Sequence, residues 1–297
     1  MPDPRTDPTA ATRSTTGLPP ARPAGPGTMG APQPITGVHR IDTGIAELRA
    51  DPAAPRAFLL LVNGVESSYV DLDRPGLLDF EYQRWTITVL SSILGPARPP
   101  PGAPPVRVLH LGAAGCSLPR ALLDTWPGSR HVAVDLDGTL LALARTWFGL
   151  PRPPALQLVA GDAATVTAAQ PAGHFRAVVR DVFAGDRTPQ ELRSSSFARQ
   201  VDRVLDPVGV YVLNCGDGPD LVAARAEMSA MADVFEHLLM VADPPMLKGR
   251  RRGNIVMAGS QRPLDADGPA RELLAGAVPA QAWDDRRCRA FARHRRS

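Results

Sequence analysis

The sequence has 297 residues, 44% hydrophobic and 21% charged, with 32 prolines and 26 glycines, a composition too apolar for wholesale disorder. A formal net charge of +3, carried almost wholly by arginine because Lys248 is the only lysine, is weak grounds for an anionic partner, and no run approaches the ~18 consecutive apolar residues of a membrane helix. Cys116, Cys215 and Cys288 lie far apart, which argues against a zinc site or a disulfide framework and fits a reducing, cytoplasmic setting without a secretory leader.

Residues 1–35 hold Pro, Gly, Thr, Ala and Arg with almost no large apolar side chain and are expected to be a disordered tail. Residues 36–96 read as a small β unit followed by a helix. Within it Phe58–Asn63 is a strand, Asn63-Gly64 a two-residue hairpin turn and Val65–Val70 the returning strand. Leu78, Tyr82, Trp85, Val89 and Ile93 recur at helical spacing across Leu77–Leu94. Gly95 and the proline-rich run to Pro105 stop that helix.

Over residues 97–265 strands and helices alternate. Strands are expected at Val106–Leu111, His131–Val134, Leu156–Val159, Ala177–Val179 and Gly209–Leu213, and helices at Leu118–Trp126, Gly138–Phe148, Ser194–Val204 and Pro219–Phe235. Two further strands, Leu238–Ala242 and Asn254–Ala258, follow. This repetition predicts an α/β fold with a doubly wound, mostly parallel sheet behind the small N-terminal β unit. Residues 266–297 are expected to form a C-terminal helix and a basic tail.

Small, acidic and amide residues fall just past the carboxyl ends of these strands: Gly112, Asp135, Asp162, Asp181 and Asn214. In wound parallel sheets that rim is where ligands bind. Gly112, Ala113 and Gly115 belong to a small-residue turn between a strand and a helix, which lets the backbone approach a ligand and turns free N–H groups toward it. The glycine fingerprint is incomplete, because Ala114 and Ser117 stand at two of its positions, so a tight turn with no ligand is the alternative. Asp135 lies 23 residues after Gly112, where a carboxylate accepts hydrogen bonds from ribose hydroxyls. Asp137, two residues on, reads also as a helix cap. Asp162, followed by Ala163, ends the third strand within reach of an adenine amino group, or else caps the next helix. The six histidines have no metal-ligand spacing, so no metal is expected, and His110 and His131 read as packed. The runs Lys248–Arg252 and Arg293–Arg296 read as solvated basic segments, and neither a nucleic acid nor a membrane is expected as a partner.

With these residues in hand, the region from Phe58 to Gly259 resembles the polyamine aminopropyltransferase (spermidine synthase) family, within the class I S-adenosylmethionine-dependent methyltransferase-like Rossmann fold. Leu60–Val65 is similar to the family's first hairpin, and Phe80-Glu81-Tyr82-Gln83 to its Phe/Ser-Tyr-Gln-Glu helix segment. Val134-Asp135-Leu136-Asp137 resembles its Glu-Ile-Asp, with Asp135 at the ribose-binding acid, and Gly161-Asp162-Ala163 resembles its adenine site. Asp181 falls where the family has its catalytic aspartate, and Arg252–Val256 resembles a late strand of bacterial relatives. The resemblance implies a transferase whose co-substrate is S-adenosylmethionine or its decarboxylated form. It assigns Asp181 as the base that takes a proton from an attacking amine, with Tyr82 and Gln83 as candidates at the acceptor and Asp186 as a substitute acid there if the loop is shifted, which spacing alone does not show. Tyr82 reads also as part of the apolar stripe with Leu78 and Trp85, and that reading is the favoured one. A small-molecule amine is the expected partner, and a homodimer is consistent with the resemblance.

Three positions depart from the pattern. The family's loop reads Gly-Gly-Gly-Asp-Gly-Gly, and Gly115 stands at its aspartate. The catalytic loop Asp-Ser-x-Asp-Pro becomes Asp181-Val182-Phe183-Ala184, with Ala184 at the second acid and Asp186 two residues beyond it. The glutamate after Tyr82-Gln83 is Arg84. A dication site missing these acids is weakened, because each charged hydrogen bond contributes about 1.5–3 kcal/mol. Four readings therefore compete: aminopropyl transfer, methyl transfer to a small molecule, a non-catalytic nucleoside-binding homologue, and a nicotinamide dehydrogenase, the last disfavoured by the incomplete glycine fingerprint.

Overall fold

The computed structural model describes residues 36–95, 102–185 and 187–293. The expected disordered tail, Asp186 and the last four residues of the basic tail lie outside the described residues. Four strands, β1 (Gly37–Ile41), β2 (Gly44–Asp51), β3 (Ala54–Val62) and β4 (Val65–Asp71), form an antiparallel sheet in sequence order. Asn63 and Gly64 turn β3 into β4 with φ of 50° and 82°, the paired positive dihedrals that a two-residue hairpin requires. Helix α1 (Glu81–Leu94) begins four residues later than its apolar spacing suggests. Pro75-Gly76 turns the chain first, and the buried Leu78 and Phe80 pack from an irregular segment.

The second sheet contains β5 (Arg107–Leu111), β6 (Arg130–Asp135), β7 (Leu156–Ala160), β8 (Phe175–Arg180), β9 (Leu205–Asp217), β10 (His237–Ala242), β11 (Gly253–Ser260) and β12 (Gln281–Trp283). Helices α2 (Ser117–Thr125), α3 (Gly138–Phe148), α4 (Ala163–Ala169), α5 (Ser195–Val204), α6 (Val222–Ala232), α7 (Pro244–Leu247), α8 (Ala270–Ala275) and α9 (Asp285–Arg293) connect them. The strand order is β12-β10-β11-β9-β8-β5-β6-β7. The five strands from β9 to β7 run parallel, and β11, β10 and β12 join antiparallel. The fold is thus α/β with a mostly parallel wound sheet, and the chain leaves β5 in both directions. That reversal opens a crevice at the carboxyl ends.

The expected unit boundaries do not separate cores. Ile41, Leu48 and Phe58 of the small sheet share one apolar cluster with Leu140, Trp147 and Phe148 of α3. Asp137 fixes that junction. Its Oδ1 caps α3 by accepting from Leu140 N at 2.7 Å, and its Oδ2 accepts from Thr43 N and Oγ1 at 2.7 and 2.9 Å. At the other end, β12 joins the large sheet beyond the expected limit at residue 265. Among the described residues no helix is long and apolar enough to cross a membrane.

His110 and His131 are packed, as their strand positions suggest. Their ring nitrogens lie 2.9 Å apart across β5 and β6, and Ser129 Oγ lies 2.8 Å from His131. Burial disfavours the imidazolium, holding His131 down to about 4 and His110 well below the ordinary value. The unfolded chain therefore binds protons that the native state refuses, and stability is lost as pH falls from about 6.5 toward 4. For His131 this amounts to roughly 3 kcal/mol. Thermal melts should show Tm falling most steeply in that window, and a His110→Asn/His131→Asn double variant should flatten the slope. An unchanged slope would assign acid unfolding to other groups.

Candidate functional site

A cavity of about 790 Å³ lies between the carboxyl ends of β5–β9, the β3–β4 hairpin and the start of α1, within the size range of small-molecule sites. Gly112 lines it where the ends of β5 and β8 come close. Its φ is +86°, and a Cβ there would meet the Asp181 carbonyl oxygen at 2.0 Å. Leu111 O accepts from Asp181 N at 2.8 Å, so the ends of β5 and β8 are tied directly together. Only glycine fits such an approach.

Past Gly112, the N–H groups of Ala113 and Ala114 donate to Asp135 Oδ2 at 3.0 and 2.9 Å, and Asp137 N donates to Oδ1 at 3.1 Å. These bonds occupy three of the roughly four acceptor positions of a carboxylate, leaving one on Oδ1 of a residue that lines the cavity. Gly115 corrects the sequence reading. It does not line the cavity, because its N–H turns away to Ser68 Oγ at 3.0 Å and a Cβ would press on Ser68 and Phe148. Asp162 shows its capping reading directly. It caps α4 by accepting from Thr165 N at 2.7 Å, and with Ala163 it lines the cavity.

Asp181 sits where β8 ends. Tyr82 Oη donates to its Oδ2 at 2.8 Å and Asn214 Nδ2 to its Oδ1 at 3.0 Å. Gln83 Nε2 lies 3.4 Å from the Tyr82 hydroxyl, and Ser117 Oγ donates to Gln83 Oε1 at 3.2 Å. Tyr82 thus packs its ring against the core, as its stripe position suggests, while its hydroxyl reaches the carboxylate. Burial pushes the Asp181 carboxyl above the ordinary value, opposed by the bonds from Asn214 and Tyr82 and by the charge of Arg180. Burial and the neighbouring Asp181 charge raise the Tyr82 phenol well above its ordinary value, so it stays a donor. Behind Asp181, Arg180 is wholly buried. It pairs with Glu227 and donates to Leu192 O at 2.8 Å.

Two of the three departures take physical form here. Arg84 turns off the cavity and donates to the carbonyls of Leu78, at 2.9 Å, and Asp79, so it puts no positive charge on the acceptor side. Ala184 lines the cavity as a neutral residue. Asp186 lies outside the described residues. Three features escaped sequence reasoning. Glu81 and Asn254 meet across the cavity wall, Asn254 Nδ2 donating to Glu81 Oε1 at 3.2 Å. The run Lys248–Arg252 is not simply solvated: Arg251 and Arg252 border the cavity, and Arg251 pairs with Asp243 at 2.9 Å. Carboxylate residues lining the cavity outnumber arginines eight to two, a bias that favours a cationic occupant. Among the described residues no group of three or more His, Cys, Asp or Glu is disposed to hold a metal ion.

No protein-family model matches the chain. Among solved structures, a probable spermidine synthase from Corynebacterium glutamicum superposes with a TM-score of 0.82 at 38% identity, covering 88% of this chain and 95% of that one. Among curated proteins, the polyamine aminopropyltransferase of Chromobacterium violaceum is 28% identical over 198 residues, 66% of this chain and 69% of that protein. The eEF1A lysine and N-terminal methyltransferase of Danio rerio is 32% identical over 119 residues, 37% of this chain and 17% of that protein. The chain therefore matches less than a fifth of that methyltransferase's length.

Proposed function

The chain belongs to the spermidine synthase (polyamine aminopropyltransferase) family, and from that premise we propose that it transfers an aminopropyl group from decarboxylated S-adenosylmethionine, or a close analogue, to an amine. The observation that carries this reading is Asp181, a half-buried carboxylate fixed by Tyr82 and Asn214 at the rim of an acid-lined cavity. In this reading the donor's adenosine lies over the ends of β5–β7. Asp135 Oδ1 accepts from a ribose hydroxyl, Asp162 faces the adenine amino group, and the small side chains of Gly112 and Ala113 admit the nucleoside.

The transfer is a displacement at the carbon beside the sulfonium. The nitrogen lone pair of the neutral amine forms the new C–N bond as the C–S bond breaks. The C–S electrons remain on sulfur, which leaves as neutral methylthioadenosine. Asp181 takes the proton that the nitrogen sheds. Burial raises its pKa above the ordinary carboxylate value, which strengthens it as a base, and the two hydrogen bonds hold it in one orientation without neutralising it. Tyr82 and Gln83 then form the acceptor wall. Alignment of the two substrates supplies much of the remaining acceleration.

Methyl transfer is the second reading, and the neutral turn Ala113–Gly115 favours it. No acid stands there to bind the aminopropyl amine or to repel the carboxylate of S-adenosylmethionine. Incubating the protein with either donor and 1,4-diaminobutane separates the readings. The expected result is an aminopropylated amine and methylthioadenosine in equal amounts from the decarboxylated donor only. A methylated amine with S-adenosylhomocysteine from the parent donor would establish the second reading instead. Nucleoside binding without turnover would mark a non-catalytic homologue.

A further inference from the structure

Resting on the aminopropyl-transfer reading, we propose that Glu81 is a specificity-determining residue that anchors the far ammonium of a diamine acceptor. The sheet itself supplies the axis. Asp135 and Asp162 stand at β6 and β7, Asp181 at β8 and Asn214 near the end of β9. Asn254, which holds Glu81, is on β11 and pairs with Gly216 of β9. The strand order β11-β9-β8-β5-β6-β7 therefore puts nucleoside carboxylates on one side of Asp181 and Glu81 on the other. Two strand spacings, roughly 10 Å, separate β8 from β11. An extended short alkyl diamine spans a comparable gap once a hydrogen bond is added at each end.

The polar inventory at this end calls for a donor. Asn214 lines the cavity with its Nδ2 committed to Asp181. Glu81 is 6% exposed and lines the same cavity. Its Oε1 is held by a neutral amide, and among the described residues no cation of the protein pairs with it. A carboxylate withdrawn from water in this way attracts a cation strongly. Glu81 also precedes Tyr82, so one turn of α1 carries both the residue that orients Asp181 and the anchor for the opposite end of the acceptor. This arrangement gives the acceptor end a carboxylate where the loop after Asp181 carries the neutral Ala184.

Calorimetric titration of the full chain, saturated with methylthioadenosine, with 1,4-diaminobutane and with butylamine tests the assignment independently of turnover. Wild type is expected to bind the diamine at least tenfold more tightly than the monoamine. Glu81→Gln is expected to lose roughly ten- to a hundredfold in diamine affinity while leaving butylamine and methylthioadenosine within twofold. Glu81→Asp, which keeps the charge, should recover part of the loss and guards against a folding defect in the first variant. Unchanged diamine affinity in Glu81→Gln, or no diamine binding by wild type, overturns the subsite. Diamine binding that depends on Glu81 in a protein without aminopropyl turnover would leave the subsite standing and overturn the transfer reading.

Discussion

Asp181→Asn is expected to reduce turnover at least a hundredfold while changing methylthioadenosine affinity less than threefold. A positioned general base contributes typically 10²–10⁴-fold, and the amide keeps the side chain's shape without its basicity. The same substitution should leave Tm unchanged or raise it at neutral pH. Burial raises the Asp181 carboxyl pKa in the native state, so the native protein binds a proton more tightly than the unfolded chain. Stability tied to this group is present at low pH and is lost as pH rises through the native pKa. An uncharged amide removes that loss. The acid limb of the rate profile should lie above the ordinary carboxylate range. Tyr82→Phe deletes a hydrogen bond that lowers the Asp181 pKa and should move that limb to higher pH. Retained turnover in Asp181→Asn would remove this residue from the chemistry, and an acid limb unmoved by Tyr82→Phe would assign it to another group.

Asp135→Ala is expected to weaken methylthioadenosine binding more than tenfold. Two effects add. A hydrogen bond from a ribose hydroxyl to a carboxylate is lost, and charged bonds of this kind contribute about 1.5–3 kcal/mol. The N–H groups of Ala113, Ala114 and Asp137 also lose their shared acceptor, so the turn against which the nucleoside packs is no longer held. Asp137→Ala should behave differently. Its oxygens bind the α3 N-terminus and Thr43, so the main cost falls on Tm, by the loss of a cap worth about 0.5–2 kcal/mol. Affinity measured for both variants separates ligand contact from scaffold. Unchanged affinity in Asp135→Ala would put the ribose elsewhere.

The sheet was legible because its signals are local. Alternation of apolar strands with helical spacing, punctuated by Gly112, Gly161 and Gly209, marks the wound fold. Periodicity also aligns the strand ends, so Gly112, Asp135, Asp162 and Asp181 could be assigned to one rim. What escaped depends on contacts distant in sequence. Glu81 and Asn254 are 173 residues apart, and nothing near either one signals the pairing. Gly115 belongs to the turn by sequence, yet Ser68, 47 residues earlier, draws its N–H out of the cavity. Arg84 stands at the position of an acceptor-side acid in the family pattern, but sequence gives no direction for a side chain. Its guanidinium instead binds the carbonyls of the segment that delays the start of α1. The buried Arg180–Glu227 pair behind Asp181 was hidden for the same reason, since a charged residue at a strand end reads as solvated until its partner from α6 is known.

Direct titration of the wild-type chain with methylthioadenosine, with NAD as the control, tests most simply whether this rim grips an adenosine moiety. The expected result is saturable binding of one methylthioadenosine per chain and no competition from NAD. Absence of binding, or tighter binding of NAD, would contradict the assignment of Asp135 and Asp162 to an S-adenosyl ligand.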